Sequence, residues 1–323
     1  MDDALLYLAT ALVFLYLLLV VVVANAGERS EIWEMVAYGL VALAGAGLVI
    51  LAALMGLGAL LPASSGVAGQ SPLDLLRGSG GLVAAAVACL LALLPPVRHW
   101  VAHRLPLRAE SPANAVALSM AAIGIGSWAA LVTRLPNAET LSLKPTVPLA
   151  ILNELPLALA GLLGVGMLIR RNWRQSWDRL GVKSLTGRQV LVSLMAVVGL
   201  LALGYGLDAA ERTLMPDAYE ALESMGKAMW GDMRTPLAAL LVSLASGTCE
   251  EILFRGALQP RLGLVVTSVF FAAVHTQYGI TLSLLSVLLA GFVLGLFRQR
   301  INTTACIAIH VLYNLGALLL PGV

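Results

Sequence analysis

The sequence predicts an all-α protein, a polytopic transmembrane bundle of about ten helices. Three observations carry this. The 323 residues are 59% hydrophobic and only 12% charged, where soluble domains carry about 25% charged residues. Mean hydropathy is +0.90. Apolar stretches long enough to cross about 30 Å of hydrocarbon recur along the whole chain.

In order, those stretches are 4–25, 36–61, 81–97, 114–133, 148–169, 188–207, 236–258, 262–278, 280–297 and 302–320. The first follows an acidic Met1-Asp2-Asp3 start and is too long for a cleaved signal core, so it reads as a retained helix. The Ser/Gly-rich segment Ser64 to Gly80 reads as a plain connection. The third stretch is short and is closed by Pro95-Pro96. His99 and His103 stand at i, i+4 among arginines, a setting that suits an interfacial anchor better than a metal pair. In the fifth stretch, Asn153 and Glu154 lie between Pro148 and Pro156. Glu154 reads first as a snorkelling residue at a proline-disrupted helix mouth, and second as a polar group lining a cavity.

Arg170 to Arg188, with Trp173 and Trp177, reads as a short helix lying on anionic lipid at the interface. Between Asp208 and Arg234, Leu214, Ala218, Leu222, Met225 and Met229 recur at helical spacing, with Asp217, Glu220, Glu223 and Lys227 opposite. That is the pattern of an amphipathic surface helix. Sorting Lys and Arg between alternate connections puts 13 of the 20 on one side, from Arg29 through Arg104 and Arg179 to Arg300. Arg77, Arg134, Lys144, Arg212, Lys227 and Arg234 fall on the other. The asymmetry places both termini on the non-cytoplasmic side. The expected partner is the bilayer, and no nucleic acid, because no basic face is gathered. Cys89, Cys249 and Cys306 lack C-x-x-C spacing, so neither disulfides nor a thiolate metal site is expected.

The chemistry concentrates after Pro236. Cys249-Glu250-Glu251-Ile252-Leu253-Phe254-Arg255-Gly256 puts three ionisable groups into an apolar run, at roughly 2.5 to 3.5 kcal/mol each on insertion scales. Glu251 and Arg255, at i and i+4, form a natural ion pair, whereas Glu250 points about 100° away and is unpaired. Two later helices each carry an i, i+4 pair, Phe271 with His275 and His310 with Asn314. At about 1.5 Å per residue from their turns, Glu250, His275 and His310 reach similar depth. A glutamate, two imidazoles and a carboxamide in one polar cavity form a catalytic inventory. By themselves these residue types also suit an ion-binding transporter, an immunity factor or a scaffold.

The motifs Glu250-Glu251-x-x-x-Arg255, Phe271-x-x-x-His275 and His310-x-x-x-Asn314, in this order, resemble the CPBP family. These are intramembrane proteases related to the CAAX-processing prenyl-protein endopeptidase and to bacteriocin-processing or immunity proteins. The resemblance covers about 85 residues, from Pro236 to Pro321, and the helices from residue 148 complete a core over 148–321. Residues 1–135, about four helices, form an extension that the family does not imply. The resemblance implies endopeptidase activity on a peptide or membrane-protein substrate, either a prenylated CAAX sequence or a leader or membrane protein. Glu250 would deprotonate a water that His275 shares or orients. His310 and Asn314 would donate to the oxyanion, each well-placed donor contributing roughly 3 to 4 kcal/mol, while Glu251, Arg255 and Phe271 support the site. No cofactor is required in this scheme. The alternative is zinc held by Glu250, His275 and His310, a two-His, one-carboxylate set. Cys249 reads as a small apolar helix residue rather than a nucleophile.

Overall fold

A computed structural model describes residues 3–60, 71–131 and 146–320. Among the described residues there is no β-strand beyond one isolated bridge between Met167 and Arg171. The helices are α1 (Asp3–Gly27), α2 (Glu31–Gly58), α3 (Pro72–Leu91), α4 (Pro95–Ala102), α5 (Pro112–Leu131), α6 (Val147–Gly164), α7 (Trp173–Leu180), α8 (Gly187–Leu214), α9 (Pro216–Trp230), α10 (Pro236–Glu251, extended by a π-helical turn Ile252–Leu258), α11 (Gln259–Ala273), α12 (Leu282–Arg300) and α13 (Thr303–Leu319). Every predicted span contains a helix. Seven helical segments of the described chain are long and apolar enough to cross a membrane, among them the 38-residue Pro236–Ala273 that joins α10 and α11. The chain is an integral, multi-pass membrane protein.

Proline sets many of the starts. Pro72, Pro95, Pro148, Pro216 and Pro236 each occupy the first turn of a helix, where a missing N–H costs no hydrogen bond. The connection expected up to Gly80 is therefore shorter. Ser71 caps α3 by accepting from the Asp74 amide at 3.2 Å, and residues 64–70 lie outside the described chain, as do Arg134 and Lys144. Pro95-Pro96 closes α3 and also opens α4, which ends near the exposed His99. The interfacial helix expected over 170–188 is α7, bounded by an Asn172/Gln175 capping box and by Gly181 at φ 74°. The surface helix is α9, which buries Ala218 and Met225. Leu214 departs from that stripe: it ends α8 and is exposed, because Pro216 starts a new helix.

A larger departure concerns the predicted span 262–278. The π-helical turn precedes Pro260, which has no N–H for the α-helical ladder. The helix runs on to Gly263, where φ 74° and ψ 174° break it, a conformation open to glycine. α11 then ends at Ala273. His275 thus lies beyond the helix, at φ −88° and ψ 54°, and not inside a span.

α10 is the hub, packed by α6, α13 and the π-helical turn, with α8 and α12 outside α13 and α11. Leu253, Phe254, Leu258, Phe270 and Phe271 form a cluster with Ala117 and Ala121 of α5 and Ala160 of α6. α1 and α5 border this cluster, while α2 and α3 pack on their far side. A polar belt ties the helix ends at the arginine-rich side. Glu28 meets Arg108 at 3.0 Å and Arg170 at 3.3 Å and accepts from the Ser111 hydroxyl. Asn25 donates to the Leu163 carbonyl at 3.0 Å and accepts from Arg170 Nε at 2.8 Å. Arg261 donates to Asn114 at 3.0 Å and to the Gly164 carbonyl at 2.9 Å. These bonds join α1, the α4–α5 connection and the start of α5, the α6–α7 connection and the start of α11.

Candidate active site

Glu250 and Glu251 end α10 where the α-helix gives way to the π-helical turn, a feature that recurs at functional sites. Glu251 is fully buried. Its Oε1 accepts from Arg255 Nη1 at 2.9 Å and meets His310 Nδ1 at 2.8 Å. The i, i+4 pair expected from spacing is present, and α13 adds an imidazole to it. Arg255 is 1% exposed. Its Nη2 donates to the Gly291 carbonyl of α12 at 3.1 Å, and its guanidinium lies 4.3 Å from the Phe271 ring centroid.

Glu250 is 9% exposed, and its Oε2 is buried without a hydrogen-bond partner among the described residues. Buried polar atoms are nearly always satisfied, so such an atom points to a missing partner such as water or substrate. The imidazole that reaches α10 bonds Glu251 rather than Glu250, a distinction that depth along the helices could not make.

Phe271 is the packing centre of the site. Its ring lies 4.8 Å from the His275 ring and 5.9 Å, edge-on, from the His310 ring. Hydrogen bonding assigns the imidazole tautomers. His275 Nδ1 is 2.7 Å from the Phe271 carbonyl, an oxygen that only accepts, so Nδ1 carries the proton and Nε2 the lone pair of the neutral ring. His310 Nδ1 likewise donates to the Glu251 carboxylate. His310 Nε2 can therefore donate only when the ring is an imidazolium. Asn314 Nδ2 donates to Ser246 Oγ at 3.0 Å, which uses one of its two N–H bonds. Gly247 brings α10 and α13 together here, for a Cβ on it would sit 2.7 Å from Val311 Cγ2 and 2.8 Å from the Val311 amide nitrogen.

Zinc fits these residues in kind but not in arrangement. Among the described residues no three His, Cys, Asp or Glu side chains converge on a common metal position, although the His310 Nδ1 bond to Glu251 leaves Nε2 open. No step below is routed through a metal.

Residues 233–316 match a family described as type II CAAX prenyl endopeptidase Rce1-like. This C-terminal segment is Rce1-like. The matched family is a peptidase family, and the matched segment contains Glu250, Glu251, Arg255, Phe271, His275, His310 and Asn314. No curated protein and no solved structure matches the chain.

Two residues outside the Rce1-like segment touch the site's surroundings. Glu211, on α8 and 1% exposed, accepts from the Leu282 amide at 2.9 Å and from the Ser283 hydroxyl. It thereby caps α12 just after the turn that bears His275 and Tyr278. No sequence spacing connects residue 211 to residue 282. Glu154, read first as a snorkelling residue, has a buried Oε2 without a partner among the described residues and lies within electrostatic reach of Glu250 and His310.

Proposed function

We propose that the protein is a glutamate-dependent intramembrane endopeptidase, with Glu250 as general base and His275 Nε2 as the second acceptor for the attacking water. The observation that carries this reading is that Glu251 Oε1 is committed to Arg255 and His310, whereas Glu250 has no ion-pair partner among the described residues and a buried Oε2 without a hydrogen bond; Glu251 Oε2 is unpartnered as well. Glu250 takes a water proton as the water oxygen bonds the scissile carbonyl carbon. Asn314, with one N–H still free, and His310, as an imidazolium, stabilise the oxyanion. Glu251 fixes the His310 ring and Arg255 holds Glu251, so both act by positioning. The substrate is a peptide or membrane protein, and the family match favours one ending in a prenylated CAAX sequence. The arginine-rich face is cytoplasmic and both termini are non-cytoplasmic, in keeping with the positive-inside rule.

The experiment is cleavage of farnesylated CAAX peptides, leader peptides and membrane-protein substrates by the full chain in detergent, with and without a zinc chelator. Cleavage that survives chelation and is lost in Glu250→Gln and His275→Ala supports this reading. Loss on chelation with rescue by zinc overturns the metal-free mechanism.

A further inference from the structure

α6 turns one stripe toward α10. Glu154, Leu157, Gly161 and Gly164, spaced three, four and three apart, lie on one helix face. Leu157 packs in the cluster of Leu253 and Phe254. At Gly161 the helices come so close that a Cβ would lie 2.8 Å from Ile252 Cγ2 and 3.0 Å from the Ile252 carbonyl carbon. A Cβ on Gly164 would lie 3.9 Å from Ala257 Cβ. The two helices therefore run in parallel, with Glu154 two turns above the contact and on the same face. Relative to Glu250, Glu154 sits about five residues, roughly 7.5 Å, higher along the axis. The two carboxyls thus lie within electrostatic reach across the α6–α10 contact, with no hydrogen bond between them.

Glu154 has no ion-pair partner among the described residues, and its Oε2 is as solitary as that of Glu250. A snorkelling glutamate would carry that oxygen to water or headgroups. The titratable groups within its reach are Glu250 on α10 and His310 on α13, with the Cys249 thiol alongside. His310 is already bonded to Glu251, and Arg255 to the same carboxylate. Neither Glu154 nor Glu250 has a cation of its own among the described residues, and two negative charges close together in a low-dielectric interior disfavour each other.

We infer that Glu154 is a second catalytic carboxyl, the general acid that protonates the leaving amine while Glu250 activates the water. This inference rests on the peptidase reading above. Glu250 carboxylate removes a proton from water as the water oxygen bonds the carbonyl carbon and the C=O pair moves onto oxygen. When that pair returns, the C–N bond breaks and the nitrogen takes the proton of the Glu154 carboxyl. The products are a carboxylic acid and an amine, leaving Glu250 protonated and Glu154 ionised. Return of one proton from Glu250 to Glu154 through the water that enters for the next turnover restores the starting state. Such an arrangement solves the difficulty that an amine leaves only when protonated, whereas an alkoxide needs far less help.

The test compares a quenched-fluorescent farnesylated CAAX peptide with its depsipeptide, which has an ester in place of the scissile amide. Glu154→Gln in the full chain should lower amide hydrolysis by about 10²- to 10⁴-fold and leave ester hydrolysis within about threefold of wild type. Glu250→Gln should lower both. Amide hydrolysis retained by Glu154→Gln, or amide and ester lost together, overturns the assignment. If Glu250→Gln cleaves both substrates as wild type does, the peptidase mechanism itself has failed, a result separate from any outcome at Glu154. A measurement without turnover is the infrared difference spectrum of wild type minus Glu154→Gln. A protonated-carboxyl C=O stretch belonging to wild type is expected, and its absence overturns the inference.

Discussion

The molecule contains two buried polar networks that differ in one respect. In the belt joining α1, α5, α6 and the start of α11, the carboxylate and carboxamide groups are fully engaged. Glu28 is shared by Arg108, Arg170 and Ser111, and Asn25 uses both ends of its amide. In the network around Glu250 they are not. Of nine buried side-chain atoms without a partner among the described residues, seven lie on α6, α10 with its π-helical turn, and α11. A satisfied network works as a staple, because every donor has been compensated for leaving water. One left unsatisfied at several carboxyl oxygens stores the means to bind water and substrate. On the proposed mechanism, a polar cluster alone does not mark the reactive site in a membrane bundle; its unpaired carboxyl oxygens do.

The largest effect separating the two networks is expected at Glu250. Glu250→Gln keeps the shape and removes the base, so turnover should fall by about 10²- to 10⁴-fold while the thermal midpoint in detergent stays at the wild-type value. A lowered midpoint would make Glu250 a staple like Glu28 and break the comparison. Next comes Glu251→Gln, which leaves the Arg255 guanidinium buried without its carboxylate. Removing one partner of a buried pair costs about 3 to 5 kcal/mol, read as a lower midpoint together with reduced turnover. Glu28→Gln should cost less, about 1 to 3 kcal/mol, with turnover per folded molecule unchanged. A selective loss of turnover there would show that the belt is coupled to chemistry. Gly161→Val drives a side chain into Ile252 at the α6–α10 contact and should cost about 1 to 3 kcal/mol by overpacking, checked by the same melting measurement.

The smallest effect lies on the surface helix α9. Lys227, at 2.9 Å, holds the Glu223 carboxyl below the usual carboxylate range. A lowered folded-state value means stabilisation present above the unfolded value and lost as pH falls through the folded one. Glu223→Gln should therefore cost a slight amount of stability at neutral pH and flatten the acid-side loss, the effect being small because exposed pairs of this kind contribute little.

Much of the fold was legible because membrane burial imposes long apolar runs, and proline marks where helices begin. The Glu251–Arg255 pair was legible for a similarly local reason, since i and i+4 are neighbours on any helix. Less local features were hidden. α11 breaks at Gly263 and ends at Ala273, and the His275 ring bonds the Phe271 carbonyl beyond that end. Neither follows from an apolar run that continues past both residues.

What the sequence by itself determined is the membrane-embedded all-helical class, the reactive residue types and their order, because hydropathy and helical spacing act over a few residues. Only the tertiary structure decided which glutamate His310 bonds, that Glu211 caps α12, and that the buried Glu154 of α6 comes within electrostatic reach of Glu250. Those relations depend on the register between helices far apart in sequence. That register is set by close contacts such as Gly161 on Ile252 and Gly247 on Val311, which no periodicity within one helix encodes.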